Sequence, residues 1–167
     1  MIINDIGTTM PIRQAEPKDF DDIQRLYQTV LDFEHENGDQ FQDKNFPNSD
    51  TANKFYANIV NAINGHIGYV FEEDSIVKGY VSLRVQDPSE YVHRKNISIL
   101  QLQTMGVDER YRNQGIGKRL VEYSKQAAKD MGFTHFRVVS LAENSRARHL
   151  YKQCGFHEQE IIHEMEL

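Results

Sequence analysis

Residues 105–119, MGVDERYRNQGIGKR, decide how the chain is read. The stretch leaves an apolar run at Val107 and crosses a charged turn. It then enters a helical rhythm in which Ile116, Leu120, Ser124, Ala127, Ala128 and Met131 share one side. A strand therefore hands the chain to a helix through Arg112-Asn113-Gln114-Gly115-Ile116-Gly117. Unpaired N–H groups at a helix start point outward, the helix dipole favours an anion there, and glycines let a phosphate approach the backbone. Arg110, Arg112, Lys118 and Arg119 surround the turn with charge suited to a pyrophosphate. The turn is not a Walker loop, because Arg112 stands five residues before Gly117 and Arg119 follows Lys118. A dinucleotide fingerprint beginning at Gly115 would need Gly or Ala where Leu120 stands.

Upstream, Asn96–Val107 reads as a strand with broken alternation. Ile97 and Ile99 share one face, Leu100 and Leu102 the other, and Met105 and Val107 return to the first. Gln101 and Gln103 interrupt that face, which predicts a bulge near the middle. Gly68–Glu72 and Ile76–Val85 form a hairpin about Glu73-Asp74-Ser75. Two helices precede it. The first opens at Pro17, carries Phe20, Ile23, Leu26, Tyr27 and Val30 at helical spacing, and ends near Gly38. The second carries Phe55, Ile59, Ala62 and Ile63 and stops at Asn64-Gly65. Gly38–Asp50 between them is a loop or lid, and Met10–Ala15 is a first short strand. Downstream, Gly132 ends the helix, Phe133–Leu141 is a strand, and Asn144 caps a short helix. That helix carries Ala147, Leu150, Tyr151 and Cys154 on one face and closes at Gly155, leaving Phe156–Leu167 as a last strand. The order predicts an α+β (mixed α/β) fold around one central sheet.

A chain of 167 residues supports one domain, read here as 10–167 behind a flexible leader at 1–9, with Met10 an alternative start to Met1. No apolar run has the ~18 residues of a membrane span, and Met1–Met10 lacks the pattern of a secretion signal. A cytoplasmic location is expected, and the single Cys154 suits a reduced compartment as a small buried hydrophobe. The seven His residues show no paired ligand spacing, so no metal is expected. Residues 1–90 carry 16 acidic and 7 basic side chains, against 9 and 12 in residues 91–167. The pI near 5.6 argues against nucleic acid as a partner.

R-x-x-G-x-G after a strand ending in Val107 resembles the acetyl-CoA signature of the GNAT N-acetyltransferase superfamily. Asn144 followed by Ala147, Tyr151 and Gly155-Phe156 resembles a second segment of that family. The resemblance implies a mostly antiparallel twisted sheet flanked by helices, with splayed fourth and fifth strands. It implies acetyl-CoA as cosubstrate, with the backbone of Met105, Gly106 and Val107 along the pantetheine arm. Arg112, Asn113, Gln114, Gly115, Ile116, Gly117 and Lys118 would form the pyrophosphate turn, and Asn144 would bind farther along the arm. Tyr151 would act as general acid on the leaving thiolate, and an N–H near Val107 would stabilise the oxyanion.

The implied reaction is direct attack of a primary amine on the thioester. An alkylamine of pKa about 10 is neutral only ~0.1% of the time at pH 7, a cost of about 4 kcal/mol. Family members often place a Glu on the fourth strand to offset this, and Gln101 stands there instead. The base is then to be sought among Glu34, His35, Glu36, Asp87 and His93, through water. Gln101 also leaves open a non-catalytic acetyl-CoA-binding or sensing module. Asp32, Glu34, Glu36, Asp39 and Asp43 cluster at the first helix's end and predict a cationic acceptor: a polyamine, an amino sugar or a basic peptide end. A homodimer is compatible with this reading.

Overall fold

A computed structural model describes residues 11–37, 43–91 and 96–165. The proposed leader and alternative start, the expected helix stop at Gly38, and Asp39 and His93 lie outside the described residues. The strands are β1 (Ile12–Gln14), β2 (His66–Glu73), β3 (Ile76–Val85), β4 (Ile99–Val107) and β5 (His135–Val138). The helices are α1 (Phe20–Asn37), α2 (Asp50–Asn61), α3 (Ile116–Asp130) and α4 (Ser145–Gln153). The sheet order is β1-β2-β3-β4-β5. Its first three junctions are antiparallel and the β4–β5 junction is parallel, the mixed α+β arrangement read from the sequence.

Local chemistry sets the element ends. Glu16 and Asp19 form a reciprocal cap ahead of α1, and buried Asp19 takes two bonds from Arg13, at 2.7 and 2.8 Å. Ser49 accepts from the amide of Ala52 to start α2, which ends with Ala62 in the left-handed region, two residues before the expected stop. Asn144 caps α4 through its side-chain oxygen, 3.0 Å from the amide of Ala147.

The sheet divides two cores. Val81, Leu83, Leu100, Leu102, Leu120, Val121 and Cys154 pack on the α3 and α4 side. Ile23, Leu26, Tyr56, Ile59, Val70 and Tyr80 pack on the α1 and α2 side. The expected bulge is present. Ser82 pairs with Thr104 but Leu83 pairs with Leu102, so Gln103 is the extra residue on β4. By consuming one residue it returns Met105 and Val107 to the face of Leu100 and Leu102, the reverse of the face read from alternation.

Two sequence expectations shorten. β5 covers four residues, because β4 pairs with it only from Ile99 to Leu102 and the chain after Val138 has no ladder to join. Residues 156–165 form no strand. Phe156 packs on Phe136 and Tyr151, but Ile161 and Ile162 are adjacent, which breaks a two-residue period, and they stand 74% and 82% exposed.

Candidate active site

β4 and β5 separate beyond Leu102–Val138, so the edge of β4 from Gln103 to Val107 has no strand beside it among the described residues. On its other edge the same stretch stays paired, Met105 to Val81, Gly106 to Tyr80 and Val107 to Gly79. The result is a slot with a rigid wall whose free edge has no strand partner, so the backbone groups on it, apart from the Val107 carbonyl that Arg112 takes, are open to solvent or a ligand.

At the end of the slot stands the start of α3. Its N-cap is Gly115 at φ 79, with no side chain to satisfy the first helical amides. Asn113, two residues before the N-cap, also has positive φ, 64. A methyl on Gly117 would lie 3.5 Å from Leu150 Cδ2, 3.7 Å from Met105 Cε and 3.9 Å from Val107 Cγ2. These are ordinary contacts, so nothing within the fold demands glycine there. Its missing side chain leaves space between α3, α4 and β4 that suits a phosphate-bearing arm.

The charges around the turn are not all where the sequence suggested. Arg110 is taken up by Asp108, with Nε at 3.0 Å and Nη2 at 2.8 Å, and Arg119 lies over the Phe71 ring. Arg112 donates to the carbonyl of Val107 at 3.2 Å and pairs with Glu109. Lys118 is exposed at the helix start. Sequence reasoning missed Arg146, whose Nη2 donates to Asn113 Oδ1 at 2.9 Å and brings a cation from α4 to the turn. It also missed the anchor of the turn. Buried Asp108 accepts from Arg25 on α1 at 2.8 Å and from Arg110, and these guanidinium groups hold its carboxyl well below the usual carboxylate range.

Tyr151 projects from the last turns of α4, half-buried, with its ring 5.7 Å from that of Phe156. Burial, with smaller contributions from Cys154 and Glu34, pushes its phenol up to about 12. A proton therefore stays on its oxygen throughout the neutral range. Cys154 is buried and its thiol is also pushed up by burial, which fits a packing role.

On the opposite side α1 crosses β4 at Gly106. A methyl there would come within 2.8 Å of Tyr80 Cε1, 3.0 Å of the Leu26 carbonyl and 3.2 Å of Val30 Cγ2, so the crossing needs glycine. Glu34 lies one helical turn beyond Val30 on the same stripe. Its charge is felt at Tyr27, Tyr80 and Tyr151, three phenols from three elements, each raised chiefly by burial. The rest of the acidic cluster is placed differently. Asp32 accepts from Gln28, Asp43 accepts from the amide of Asn45, and Glu36 is exposed. His35 keeps a buried Nδ1 without a partner among the described residues.

Two cavities flank the bulge and share Gln103. One, about 240 Å³, is lined by Tyr27, Phe46, Thr51, Phe55, Gln103 and Thr104. The other, about 480 Å³, includes Gln101, Arg84 and Asp87 in its lining. Tyr80 and Thr104 share a hydrogen bond at 3.0 Å beside the first. Among the described residues no group of three or more His, Cys, Asp or Glu could hold a metal, and no helix is long and apolar enough to cross a membrane.

A sheet opened between two parallel neighbours, with a glycine-capped helix start at the mouth of the slot, defines a class of single-sheet α+β proteins. The family model described as "Acetyltransferase (GNAT) domain" matches residues 64–158, more than half of the chain, and the chain belongs to that family. It is similar to the uncharacterized N-acetyltransferase YycN of Bacillus subtilis (strain 168), 37% identical over 57 residues, which are 34% of this chain. The match spans 36% of that relative's length. In fold it is similar to a mutant of the BH1408 protein from Bacillus halodurans, with TM-score 0.82, 20% identity and coverage of 93% of this chain and 98% of that one. It also resembles the aminoglycoside N-acetyltransferase AAC(6')-Iy in complex with CoA, with TM-score 0.67, 14% identity and coverage of 93% and 98%.

Proposed function

We propose that the protein transfers an acetyl group from acetyl-CoA to a primary amine by direct attack of the amine on the thioester. The observation that carries this reading is the slot itself, the unpaired edge of β4 from Gln103 to Val107 leading to the uncapped amides at Gly115. Residues Met105, Gly106 and Val107 pair with the pantetheine arm as an added strand would. The amides of Gln114 to Lys118, with Arg112, Asn113 and Arg146 close by, hold the pyrophosphate. The side-chain oxygen of Asn144 is committed to its helix, so its amide NH₂ is the part assigned to the arm. Family membership and a fold neighbour bound to CoA support the same cosubstrate.

The thioester supplies an electrophilic carbonyl and a thiolate leaving group. Tyr151, protonated because burial raises its phenol to about 12, gives its proton to that thiolate. The amine reaches the carbonyl from the α1 side, at Gln103 and Thr104. Gln101 faces the larger cavity and cannot take a proton. Glu34 is the carboxylate among the described candidates whose charge reaches Tyr151, and we assign it, directly or through a water, as the acceptor of the ammonium proton.

Gln101 is the observation that favours the second reading, a non-catalytic acetyl-CoA-binding module. Release of free thiol from acetyl-CoA, measured with and without a panel of primary amines, separates the two. Amine-dependent release that falls at least tenfold in Glu34→Gln supports the transferase. Tight binding of acetyl-CoA without release for any amine selects the binding module.

A further inference from the structure

The smaller of the two cavities has walls from four separate parts of the chain. Tyr27 comes from α1, Phe46 from the turn before α2, Thr51 and Phe55 from α2, and Gln103 and Thr104 from β4. The Tyr27 ring lies 6.4 Å from Phe46 and 5.7 Å from Phe55, both tilted, so the three rings form a cup rather than a stack. All three are half-buried, and burial raises the Tyr27 phenol. The polar wall of the cup is the bulge, where the acceptor amine approaches in the reading above. At about 240 Å³ the cup is smaller than the roughly 300–1,000 Å³ that takes a whole drug-sized ligand. It suits one apolar group attached close to the amine.

Charge narrows the class further. Among the described acidic residues at the end of α1, Glu34 is the one whose charge is felt at the tyrosines around the site. The adjoining cavity is lined by one cation, Arg84, and one anion, Asp87, so it carries no net negative charge to draw in a second ammonium. One carboxylate, an aromatic cup that also favours a single cation at its rim, and a neighbouring cavity without net negative charge fit a molecule with one amine and one apolar substituent.

We propose that the acceptor is a monoamine bearing an aromatic or branched aliphatic group within two or three bonds of the nitrogen, and neither a polyamine nor an aminoglycoside. This rests on the acetyltransferase reading. The test measures thiol release from acetyl-CoA with phenethylamine, isoamylamine, ethylamine, spermidine and kanamycin. The expected kcat/KM for phenethylamine and isoamylamine exceeds that for each of the other three by at least tenfold. Phe46→Ala removes a wall of the cup, and Thr51→Phe fills it from an exposed position that the fold does not depend on. Each is expected to reduce the phenethylamine to ethylamine ratio at least fivefold, with acetyl-CoA affinity unchanged by calorimetry. A preference for spermidine or kanamycin, or a ratio unmoved in a folded Thr51→Phe variant, overturns the inference and leaves the acetyltransferase reading standing. Binding of acetyl-CoA with no release for any of the five amines overturns that reading and this inference with it.

Discussion

Gly117→Ala should move stability and cosubstrate affinity in opposite directions. The added methyl meets Leu150, Met105 and Val107 at 3.5 to 3.9 Å, which are ordinary contact distances, so the fold accepts it without movement. Glycine within a helix costs about 0.5–1 kcal/mol relative to alanine, and removing that cost should raise Tm by about 1–4 °C in a domain of this size. The same methyl occupies the gap through which a phosphate reaches the amides of the first turn. Losing one charge-assisted hydrogen bond costs about 1.5–3 kcal/mol, or about 10- to 150-fold in Kd. Thermal melts and calorimetric titration with acetyl-CoA on the same preparation read both effects. Gly117→Glu, which adds a like charge, should bind more weakly still. An alanine variant that melts at or above the wild-type temperature and binds acetyl-CoA within twofold of wild type would refute the pyrophosphate site at this turn.

Tyr151→Phe keeps the ring contact with Phe156 and removes the proton, so kcat should fall by about 100-fold while the acetyl-CoA Kd stays within twofold, measured where chemistry limits the rate. With the phenol at about 12, kcat/KM should rise through neutral pH as the amine and its base lose protons. Tyr151 should cause no decline below about pH 11; a fall near pH 9 that vanishes in Tyr151→Phe would contradict the raised phenol while keeping Tyr151 as the acid, and a kcat unchanged in Tyr151→Phe would contradict its assignment. Asp108→Asn breaks charge-assisted bonds from Arg25 and Arg110, whose own side chains are 42% and 69% exposed. Solvent takes up part of that loss, leaving about 1–3 kcal/mol in urea unfolding at pH 7. Because the folded-state value of Asp108 is depressed, its contribution is full above the unfolded value near 3.9 and is lost as pH falls below it, so the gap to wild type should narrow between pH 5 and pH 2. Raising salt from 0.05 to 0.5 M should lower kcat/KM for phenethylamine by less than about threefold, since one half-buried carboxylate acts at contact range and not through a screened surface field. A tenfold fall would restore the whole acidic cluster as the attractant.

The elements proposed to hold the cosubstrate were legible because they are local. Strand end, turn and helix start lie within residues 105–119, and the signals that mark them, a Gly N-cap and a 3.6-residue apolar rhythm, act over one or two turns. The bulge was legible as an interruption at Gln101 and Gln103, but its consequence was not. Which face Met105 and Val107 take depends on whether the extra residue is absorbed before or after them, and only the pairing of Ser82 and Leu83 decides that. The last strand read over Phe156–Leu167 is not formed in residues 156–165, where Ile161 and Ile162, being adjacent, share no common face. Arg25 and Asp108, 83 residues apart, and Asn113 and Arg146, 33 apart, have no sequence signal that would join them.

The cavity proposed for the acceptor was hidden for the same reason. Tyr27 and Phe55 belong to apolar helical stripes, where an aromatic residue is by default a core residue, and only the turn at Phe46 and the bulge at Gln103 leave their rings facing a void. The gross charge of the first 90 residues does not say where its carboxylates sit. Asp19 and Glu72 close on Arg13, Asp22 closes on Arg25, and Glu73 closes on Lys78, so much of that negative charge is spent on the fold. What a net charge cannot reveal is position. The proposed role of Glu34 rests on α1 passing close over Gly106, one turn before it, and that closeness depends on a single missing side chain. A residue that sets the approach of two elements can thus decide which of several equivalent carboxylates in a sequence is placed to act.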